Sequence, residues 1–285
     1  MQPVSVREPA VAGMFYPGDA SMLRSTVERL LGPAGESGQV APVRVLLAPH
    51  AGYTYSGAIA AAGFRRLGSM ASTLRRAFII GPSHVESFNF ISVFDGACYR
   101  TPLGDVAVDV DAARALARAH PSIRCDRAGH VLRRGDRGEH AIEVELPFLQ
   151  CLTPAVRIVP ITMGSQSWPA CDDLAAAIRA VIDWEHDVLI ASSDLSHFYD
   201  DARARELDSV FCASLVTLDA ALLRERLARG ECEACGAGPV VASLLASDEL
   251  RARACAVVAS GNSGDVSGDR SSVVGYASAV ITGEP

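Results

Sequence analysis

Short apolar runs rich in valine, isoleucine and alanine alternate along the chain with stretches whose apolar residues recur every three or four positions. The runs predict strands, and the recurring spacing predicts helices. The predicted strands are 43–48, 77–81, 155–162, 188–192, 254–260 and 273–281. The predicted helices are 21–31, 111–119, 169–182, 202–218 and 239–245. Two further runs are expected to form a hairpin-like antiparallel edge, and they lie at 90–94 and 106–108.

Strands that are apolar on both faces and are separated by helices are typical of a sheet that is covered on both sides. We therefore predict an α/β fold, in which residues 1–285 form a single three-layer α/β/α domain around a central mixed, mostly parallel sheet. The polar loops are too short to divide the chain into domains. They lie at 32–42, 124–138 and 260–272.

One stretch without full charges, 45–64, approaches the length that a bilayer span requires. Pro49, His50 and several glycines interrupt it, and a histidine beside a proline would be costly in lipid. We interpret the stretch as a buried strand, a turn and a helix. Residues 1–17 lack a basic stretch followed by an apolar run, so no signal peptide is expected.

Composition excludes several classes of function. Hydrophobic residues make up 49% of the chain, the formal net charge is −7 and no basic run is present, so nucleic acid is not an expected partner. All 26 basic residues are arginine, which excludes a Walker A loop, a pyridoxal-phosphate enzyme and a Schiff-base aldolase because each requires a lysine. The eight cysteines are too sparse for a disulfide scaffold. We therefore expect a cytoplasmic protein with reduced thiols and no membrane attachment.

Three of the seven histidines, His50, His84 and His197, lie just past the ends of apolar runs. Ligand sites of open α/β sheets form at the carboxyl ends of strands, and neighbouring strands are about 4.8 Å apart. The three side chains can therefore converge on one small ion. A single histidine in such a place is more often structural, but three at equivalent positions favour a shared site.

A second candidate is the pair Cys232 and Cys235, which has the C-x-x-C spacing. The spacing is compatible with a redox pair or with half of a zinc site, although the sequence offers no thioredoxin-like context and no second ligand pair. A disulfide between the two cysteines also stays open. Cys235 precedes a predicted helix, where the amide dipoles favour a thiolate that acts as a soft metal ligand or as a nucleophile.

The segment 139–147 is a third concentration of titratable groups. If it is helical, Glu139 and Glu143 fall on one face with His140 beside them. The segment does not have the H-E-x-x-H pattern of a zincin. Taken alone, it is expected to be a solvated acidic face.

These motifs, in this order, resemble those of the Memo family, whose bacterial members are called AmmeMemoRadiSam system protein B. The resemblance extends over nearly the whole chain. It rests on REPAVAGMFYP at 7–17, APHAGYTY at 48–55, GPSH at 81–84, YRTPLG at 99–104, EHAIEVELP at 139–147, SSD at 192–194, CG at 235–236 and SSV at 271–273.

The resemblance implies a fold like that of the class III extradiol dioxygenases, which hold non-haem iron with two histidines and a carboxylate. It gives His50 and His84 the places of the two histidine ligands and Cys235 the place of the carboxylate. It matches His197 to a further histidine that handles protons and assigns Asp194 to the same pocket. Other pocket candidates within the matching motifs are Tyr16, Tyr53, Glu139 and His140.

The resemblance implies iron, whereas a thiolate ligand favours softer ions such as Cu(I) or Zn(II), so we expect a single ion of copper, iron or zinc. Because these groups converge on one sheet edge, our first hypothesis is a metal-dependent, dioxygenase-like oxidoreductase in which Asp194 orients His197 as the acid/base. The resemblance also implies partners for this protein, namely a radical S-adenosylmethionine protein and a small companion protein. A small molecule or a peptide is expected in the cleft. The alternative is a non-enzymatic peptide-binding protein or metal chaperone that uses the same cleft. A hydrolase that activates water on zinc is a third hypothesis.

Overall fold

The computed structural model of the protein describes residues 5–33, 41–131 and 138–285. The helices, in chain order, are α1 (Ala20–Leu31), α2 (Gly57–Phe64), α3 (Val110–Ala119), α4 (Leu146–Leu152), α5 (Trp168–Arg179), α6 (Asp201–Val216), α7 (Ala220–Ala228), α8 (Ala237–Ala246) and α9 (Gly264–Ser267). Short 3-10 helices lie at Arg65–Met70, Glu143–Glu145 and Ser247–Glu249. An aspartate or serine side chain accepts a backbone N–H at the first turn of α1, α3, α5, α6 and α7, which fixes where these helices begin.

The strands are β1 (Val6–Arg7), β2 (Val43–Ala48), β3 (Arg76–Pro82), β4 (Ile91–Val93), β5 (Cys98–Thr101), β6 (Gly104–Ala107), β7 (Ile123–Cys125), β8 (Arg157–Met163), β9 (Asp187–Ser192), β10 (His197–Tyr199), β11 (Arg251–Asn262) and β12 (Val273–Glu284). The large sheet has the order β10-β12-β2-β9-β3-β8-β4-β7, and β11 pairs with β12. The central strands β2, β9, β3 and β8 are parallel, whereas β12 and β4 join this centre in antiparallel pairs. The predicted α/β fold with a central mixed sheet is confirmed.

Helices cover both faces of the large sheet. In β3, Phe78 and Ile80 belong to one apolar cluster, and Ala77 and Ile79 belong to another. The first cluster includes buried residues of α3, α5, α6, α7 and α8, whereas the second includes buried residues of α1, α2 and α4. Because successive side chains of a strand point to opposite faces, burial on both sides produces the uninterrupted apolar runs of the sequence.

The predicted hairpin between 90–94 and 106–108 is wrong. β4 lies in the large sheet, where it pairs with β7 and β8. β6 instead pairs with β5 across the two-residue turn Pro102–Leu103, in a separate small sheet of order β1-β5-β6. Gly104, at φ +116°, closes this turn in a backbone conformation that favours glycine. Because the turn is short, β6 pairs with β5, the strand that immediately precedes it in the sequence.

The other predictions about the chain's organisation have different outcomes. The stretch 45–64 is strand β2, a turn and helix α2, as interpreted. The loop predicted at 260–272 contains the end of β11 and the short helix α9. The loops predicted at 32–42 and 124–138 include residues 34–40 and 132–137, which lie outside the described residues. Over the described part of the chain, none of the helices combines the length and the apolar character that crossing a membrane requires.

Gly63 allows α2 to lie close against β2 and β12. A Cβ atom at this position would collide with Ser278 Oγ and Leu46 Cδ1. We predict that Gly63→Ala lowers the free energy of unfolding by about 1–3 kcal/mol through overpacking, despite the higher helix propensity of alanine. Urea denaturation followed by circular dichroism measures the change.

Gly68→Ala is the matched control, since a Cβ atom at Gly68 would meet nothing within 4 Å. We expect this substitution to change the free energy of unfolding by no more than about 0.5 kcal/mol. Equal effects of the two substitutions would show that the close packing of α2 on the sheet does not cause the loss of stability in Gly63→Ala.

Candidate metal site

Two imidazoles and one thiol converge at the carboxyl edge of the parallel strands. His50 lies two residues past β2, and His84 lies two residues past β3. Strand β9 is between them, and Asp194 lies two residues past its end. Cys235 precedes α8 and joins this edge because its N–H donates to the carbonyl of Asp194 at 3.1 Å. One ligand atom each from His50, His84 and Cys235 lie within 4.8 Å of one another.

The side chain of His50 is buried, and its two ring nitrogens contact a hydroxyl on one side and the thiol on the other. Its Nδ1 lies 2.8 Å from Ser192 Oγ, and its Nε2 lies 3.2 Å from Cys235 Sγ. The backbone N–H of His50 donates to Asp194 Oδ1 at 2.8 Å, which fixes the turn after β2. Burial lowers the pKa of His50 well below its usual range, so the ring is neutral near pH 7.

His84 is held by a carboxylate instead of a hydroxyl. Its Nδ1 lies 3.0 Å from Glu139 Oε1, and the same oxygen accepts the backbone N–H groups of His140 and Ala141 at 2.8 and 3.0 Å. Burial alone would lower the pKa of His84. The hydrogen bonds of His84 to Cys235 and Glu139 outweigh burial and raise this pKa to about 10. Burial alone would raise the pKa of Glu139. The hydrogen bond from His84 and the charge of His84 outweigh burial and lower this pKa to about 2. The two side chains therefore form an imidazolium–carboxylate pair.

The sulfur of Cys235 is fixed by the loop in which it lies. Cys235 Sγ accepts the backbone N–H of Asp194 at 3.3 Å, and the neighbouring Gly236 N–H donates to Ser193 Oγ at 2.8 Å. A Cβ atom at Gly236 would collide with the carbonyl oxygen of Ser192, so glycine permits this close approach. Cys232 and Cys235 are both free, and the disulfide considered from the sequence is not formed.

His197 lies beside the donors, on the wall of a cavity of about 430 Å³ that Cys235 also lines. Its Nδ1 lies 2.7 Å from the carbonyl oxygen of Leu195, which orients the ring. The expectation that Asp194 orients His197 is therefore wrong, because the carboxylate of Asp194 accepts the His50 N–H instead. Burial raises the pKa of Asp194 to about 7.

The segment 139–147 is buried, so the expectation of a solvated acidic face is wrong. Glu139, Glu143 and Glu145 have exposed fractions of 6%, 0% and 0%. The ring of His140 stacks on that of His84, with centroids 4.9 Å apart, and burial lowers the pKa of His140 to about 4. His84, Glu139 and His140 form a second group that could hold a metal ion. Because Glu139 Oε1 already accepts two backbone N–H groups, the carboxylate is better placed to position His84 than to bind an ion.

A buried ion pair fixes the position of the segment 139–147. The guanidinium of Arg7 donates to Glu143 Oε2 and to the carbonyl oxygens of Glu139 and His130. Glu143 Oε1 also accepts the hydroxyl of Tyr16. The N-terminal segment is thereby attached to the turn that carries Glu139.

Two predicted pocket residues are not brought to the donor atoms. Tyr16 donates its hydroxyl to Glu143, and Tyr53 donates its hydroxyl to the carbonyl of Val144 at 2.7 Å. Both rings are buried, with centroids 5.6 Å apart, in the apolar cluster beneath the sheet edge. Burial raises the pKa of both hydroxyls, and they act as hydrogen-bond donors within the core.

The sequence interpretation did not single out Ser192 or Glu145 as parts of the site. Ser192 lies at the end of β9, and its Oγ lies within hydrogen-bond distance of His50, Ala141 and Glu145. Apolar residues on both sides of Glu145 were the available signal for its burial, but acidic spacing alone indicated a surface.

Comparisons with known proteins show similarity over almost the whole chain. A family model described as Memo-like protein matches residues 7–280. A MEMO1 family protein of Methanobrevibacter smithii is 39% identical, in an alignment that covers 97% of this chain and 99% of that protein. MEMO1 family proteins of Ignicoccus hospitalis and Thermotoga neapolitana are 36% and 35% identical, over 95% and 97% of this chain and 97% and 100% of those proteins. The matched range includes all three candidate donors.

We predict that Glu143→Leu lowers the free energy of unfolding by about 3–5 kcal/mol, because it leaves the buried guanidinium of Arg7 without its partner. Urea denaturation measures the change. If the single variant does not fold, Arg7→Met/Glu143→Leu removes both charges and is expected to recover part of the loss.

Glu225→Leu in α7 is the control, since Glu225 forms an exposed ion pair with Arg229. We expect a change of at most about 1 kcal/mol for this substitution. A similarly small effect of Glu143→Leu would contradict a structural role of the buried pair.

Proposed function

The chain belongs to the Memo family, and we propose that it is a metal-dependent redox protein of this family. His50, His84 and Cys235 would hold one metal ion. The observation that carries the proposal is the convergence of two imidazoles and one thiol, from three distant segments, to within 4.8 Å. Side chains of this type are the ligands that softer transition metals prefer.

The hydrogen bonds and distances of the donor set fit a bound ion. Ser192 and Glu139 each engage the Nδ1 of one histidine, so the Nε2 atoms of His50 and His84 are left for an ion. Because His84 is an imidazolium in the metal-free protein, an ion would displace the proton from its Nε2. Ligand atoms bound tetrahedrally to zinc are about 3.5 Å apart. His50 Nε2 and Cys235 Sγ, which are 3.2 Å apart, are close to this spacing, and the ligand atom of His84 lies within 4.8 Å of both.

We propose copper as the resident metal. Two imidazoles and a thiolate are the donors of copper centres that transfer electrons, and the thiolate also suits Cu(I). When bound, copper would supply one-electron redox chemistry. Zinc fits the same donors but supplies no redox chemistry.

His197 is proposed as the group that moves protons in the adjoining cavity. Its Nδ1–H donates to the carbonyl of Leu195, which leaves Nε2 as a proton acceptor. The cavity has the volume of a small-molecule site, and its walls include Trp168 and Leu227. A small molecule that binds there would be held by apolar contacts, and its acidic proton would pass to His197.

The proposed partners are a radical S-adenosylmethionine protein and a small companion protein, because the bacterial name of the family reflects a pairing of these three proteins. Joint expression of all three, followed by size-exclusion chromatography, tests this association. Separate elution of the three proteins, with and without copper, would contradict it.

A second candidate function is a metal chaperone or peptide-binding protein that uses the same cleft. The supporting observation is the exposure of the site, since 31% of the His84 side chain is accessible. Phe198, next to His197, is also 75% exposed and could contact a bound peptide. Copper handover to an acceptor protein without turnover of any substrate would favour this function over catalysis.

We predict that the metal-free protein binds one equivalent of Cu(I), measured anaerobically against a chromophoric competitor. His50→Ala, His84→Ala and Cys235→Ser are each expected to weaken binding by at least about 100-fold, because each removes a ligand and not only a group that positions one. The controls are His120→Ala and Cys125→Ser, which change the same residue types outside the donor group. Unchanged affinity of all three ligand variants would contradict the proposed site.

We predict that His197→Ala keeps the Cu(I) stoichiometry but lowers oxygen-dependent turnover by about 100- to 10,000-fold, the usual contribution of general acid–base catalysis. Oxygen uptake with a panel of phenols and other small apolar substrates measures turnover. A copper-loaded wild-type protein that turns over nothing in the panel, while His197→Ala retains binding of a defined partner, would favour the chaperone or peptide-binding function.

A further inference from the structure

The cavity beside Cys235 has a charge of one sign on its wall. Most of its lining is apolar, and it includes the side chains of Trp168, Leu195 and Leu227. No arginine of the described chain lines this cavity, although arginine supplies all 26 basic residues of the sequence. The one carboxylate on the wall belongs to Glu233.

Glu233 has no cationic partner among the described residues. Its side chain is half-buried, and its Oε1 accepts the hydroxyl of Tyr199 at 2.6 Å. This is the only hydrogen bond of the Glu233 side chain within the described parts of the chain. Because a hydroxyl donor is neutral, the negative charge stays uncompensated, and a cation that reaches the wall would form a charge-assisted hydrogen bond with it.

The backbone on this side of the cavity offers an anion nothing to bind. Helix α8 begins at the cavity wall with Ala237, and a helix N-terminus attracts anions when its N–H groups are free. Here the N–H groups of Gly236, Ala237 and Gly238 already donate to protein acceptors, at 2.8, 3.3 and 2.8 Å. Pro239 has no N–H to donate.

One guanidinium lies behind the wall, but its charge is compensated. The guanidinium carbon of Arg224 is 5.6 Å from the centroid of the Trp168 ring. The same guanidinium donates to a carboxylate oxygen of Asp172 at 2.5 Å. Arg224 therefore does not neutralise Glu233, and the negative charge on the wall remains.

We propose that the cavity binds a small amine, whose ammonium group contacts Glu233 and whose apolar body packs against Trp168 and Leu227. A volume of about 430 Å³ is that of a small-molecule site. An anion of the same shape would meet Glu233 without a compensating cation, so Glu233 discriminates between ligands by their charge. As a substrate, such an amine rests on the proposed function, whereas as a ligand of the cavity it does not.

Three ligands with the same aromatic body and different charges test the preference. They are phenethylamine, phenethyl alcohol and phenylacetate, each titrated calorimetrically into the metal-free protein near pH 7. We expect phenethylamine to bind at least about 10-fold more tightly than the alcohol, because hydrogen bonds to charged groups are the stronger ones, and phenylacetate to bind most weakly. Equal affinities, tightest binding of phenylacetate or no binding of phenethylamine would overturn the proposal.

Substitutions at Glu233 assign the preference to this side chain. Glu233→Gln keeps the size of the side chain and an acceptor for Tyr199. It is expected to weaken phenethylamine binding about 10-fold and to leave the alcohol within about 2-fold of the wild type. Glu233→Arg is expected to reverse the preference in favour of phenylacetate. A preference for the amine that persists in both variants would contradict the role of Glu233.

The matched control is Glu231→Gln, which removes the same charge from an exposed residue outside the cavity wall. We expect this variant to bind all three ligands as the wild type does. If it loses as much affinity for phenethylamine as Glu233→Gln, the overall charge of the protein attracts the amine, and the proposed site is wrong.

The same experiments separate the amine site from the metal site. If copper binds to the candidate donors but the three ligands bind equally well, the amine site is wrong and the proposed metal site stands. If the protein binds no copper but prefers phenethylamine in a way that depends on Glu233, the proposed redox function fails and the amine site stands.

Discussion

The candidate site depends on the buried ion pair between Arg7 and Glu143, which lie 136 positions apart in the sequence. Two charges removed from water need each other and further hydrogen bonds, so the segments that carry them cannot move independently. The guanidinium also donates to the carbonyl of Glu139, the residue whose carboxylate holds His84. The position of one candidate ligand is therefore set by charges that lie behind the donor atoms.

Each candidate histidine ligand is held at Nδ1, which leaves Nε2 toward the other donors. His84 is held by the carboxylate of Glu139, and His50 is held by the hydroxyl of Ser192. A charged partner raises the basicity of an imidazole more than a neutral hydroxyl does. The two rings therefore differ in electronic character although they occupy equivalent ends of parallel strands.

The sheet was predictable from the sequence because strands that are buried on both faces appear as uninterrupted apolar runs. The apolar run at 77–81 has no alternation, since Ile79 and Ile80 are both fully buried on opposite sides of β3. The partner of 106–108 was not predictable from its apolar pattern, because a tight turn through Pro102 decided it. Strand ends predicted the convergence of His50 and His84, whereas His197 lies outside the donor group. The attachment of Cys235 depends on backbone contacts to Asp194 that no spacing encodes.

The burial of the acidic segment 139–147 could not be predicted from its sequence, for a physical reason. Charge spacing shows which face Glu139 and Glu143 share, but burial of that face requires a distant arginine and backbone N–H groups. Glu145 differs again, since burial raises the pKa of its carboxyl group well above its usual range. A sequence gives the residue type of all three glutamates but not their charges, which are set by partners brought together in folding.

Cys235 is the side chain common to the donor group and the adjoining cavity. A ligand in the cavity and an ion at the donors would therefore be neighbours, and the binding free energy of each would depend on the other. Such coupling is reciprocal, so an occupant that weakens ion binding is itself weakened by the ion. The redox and chaperone functions thus differ in the occupant of the cavity. A small molecule that binds more tightly beside the ion suits catalysis, whereas a peptide that displaces the ion suits handover.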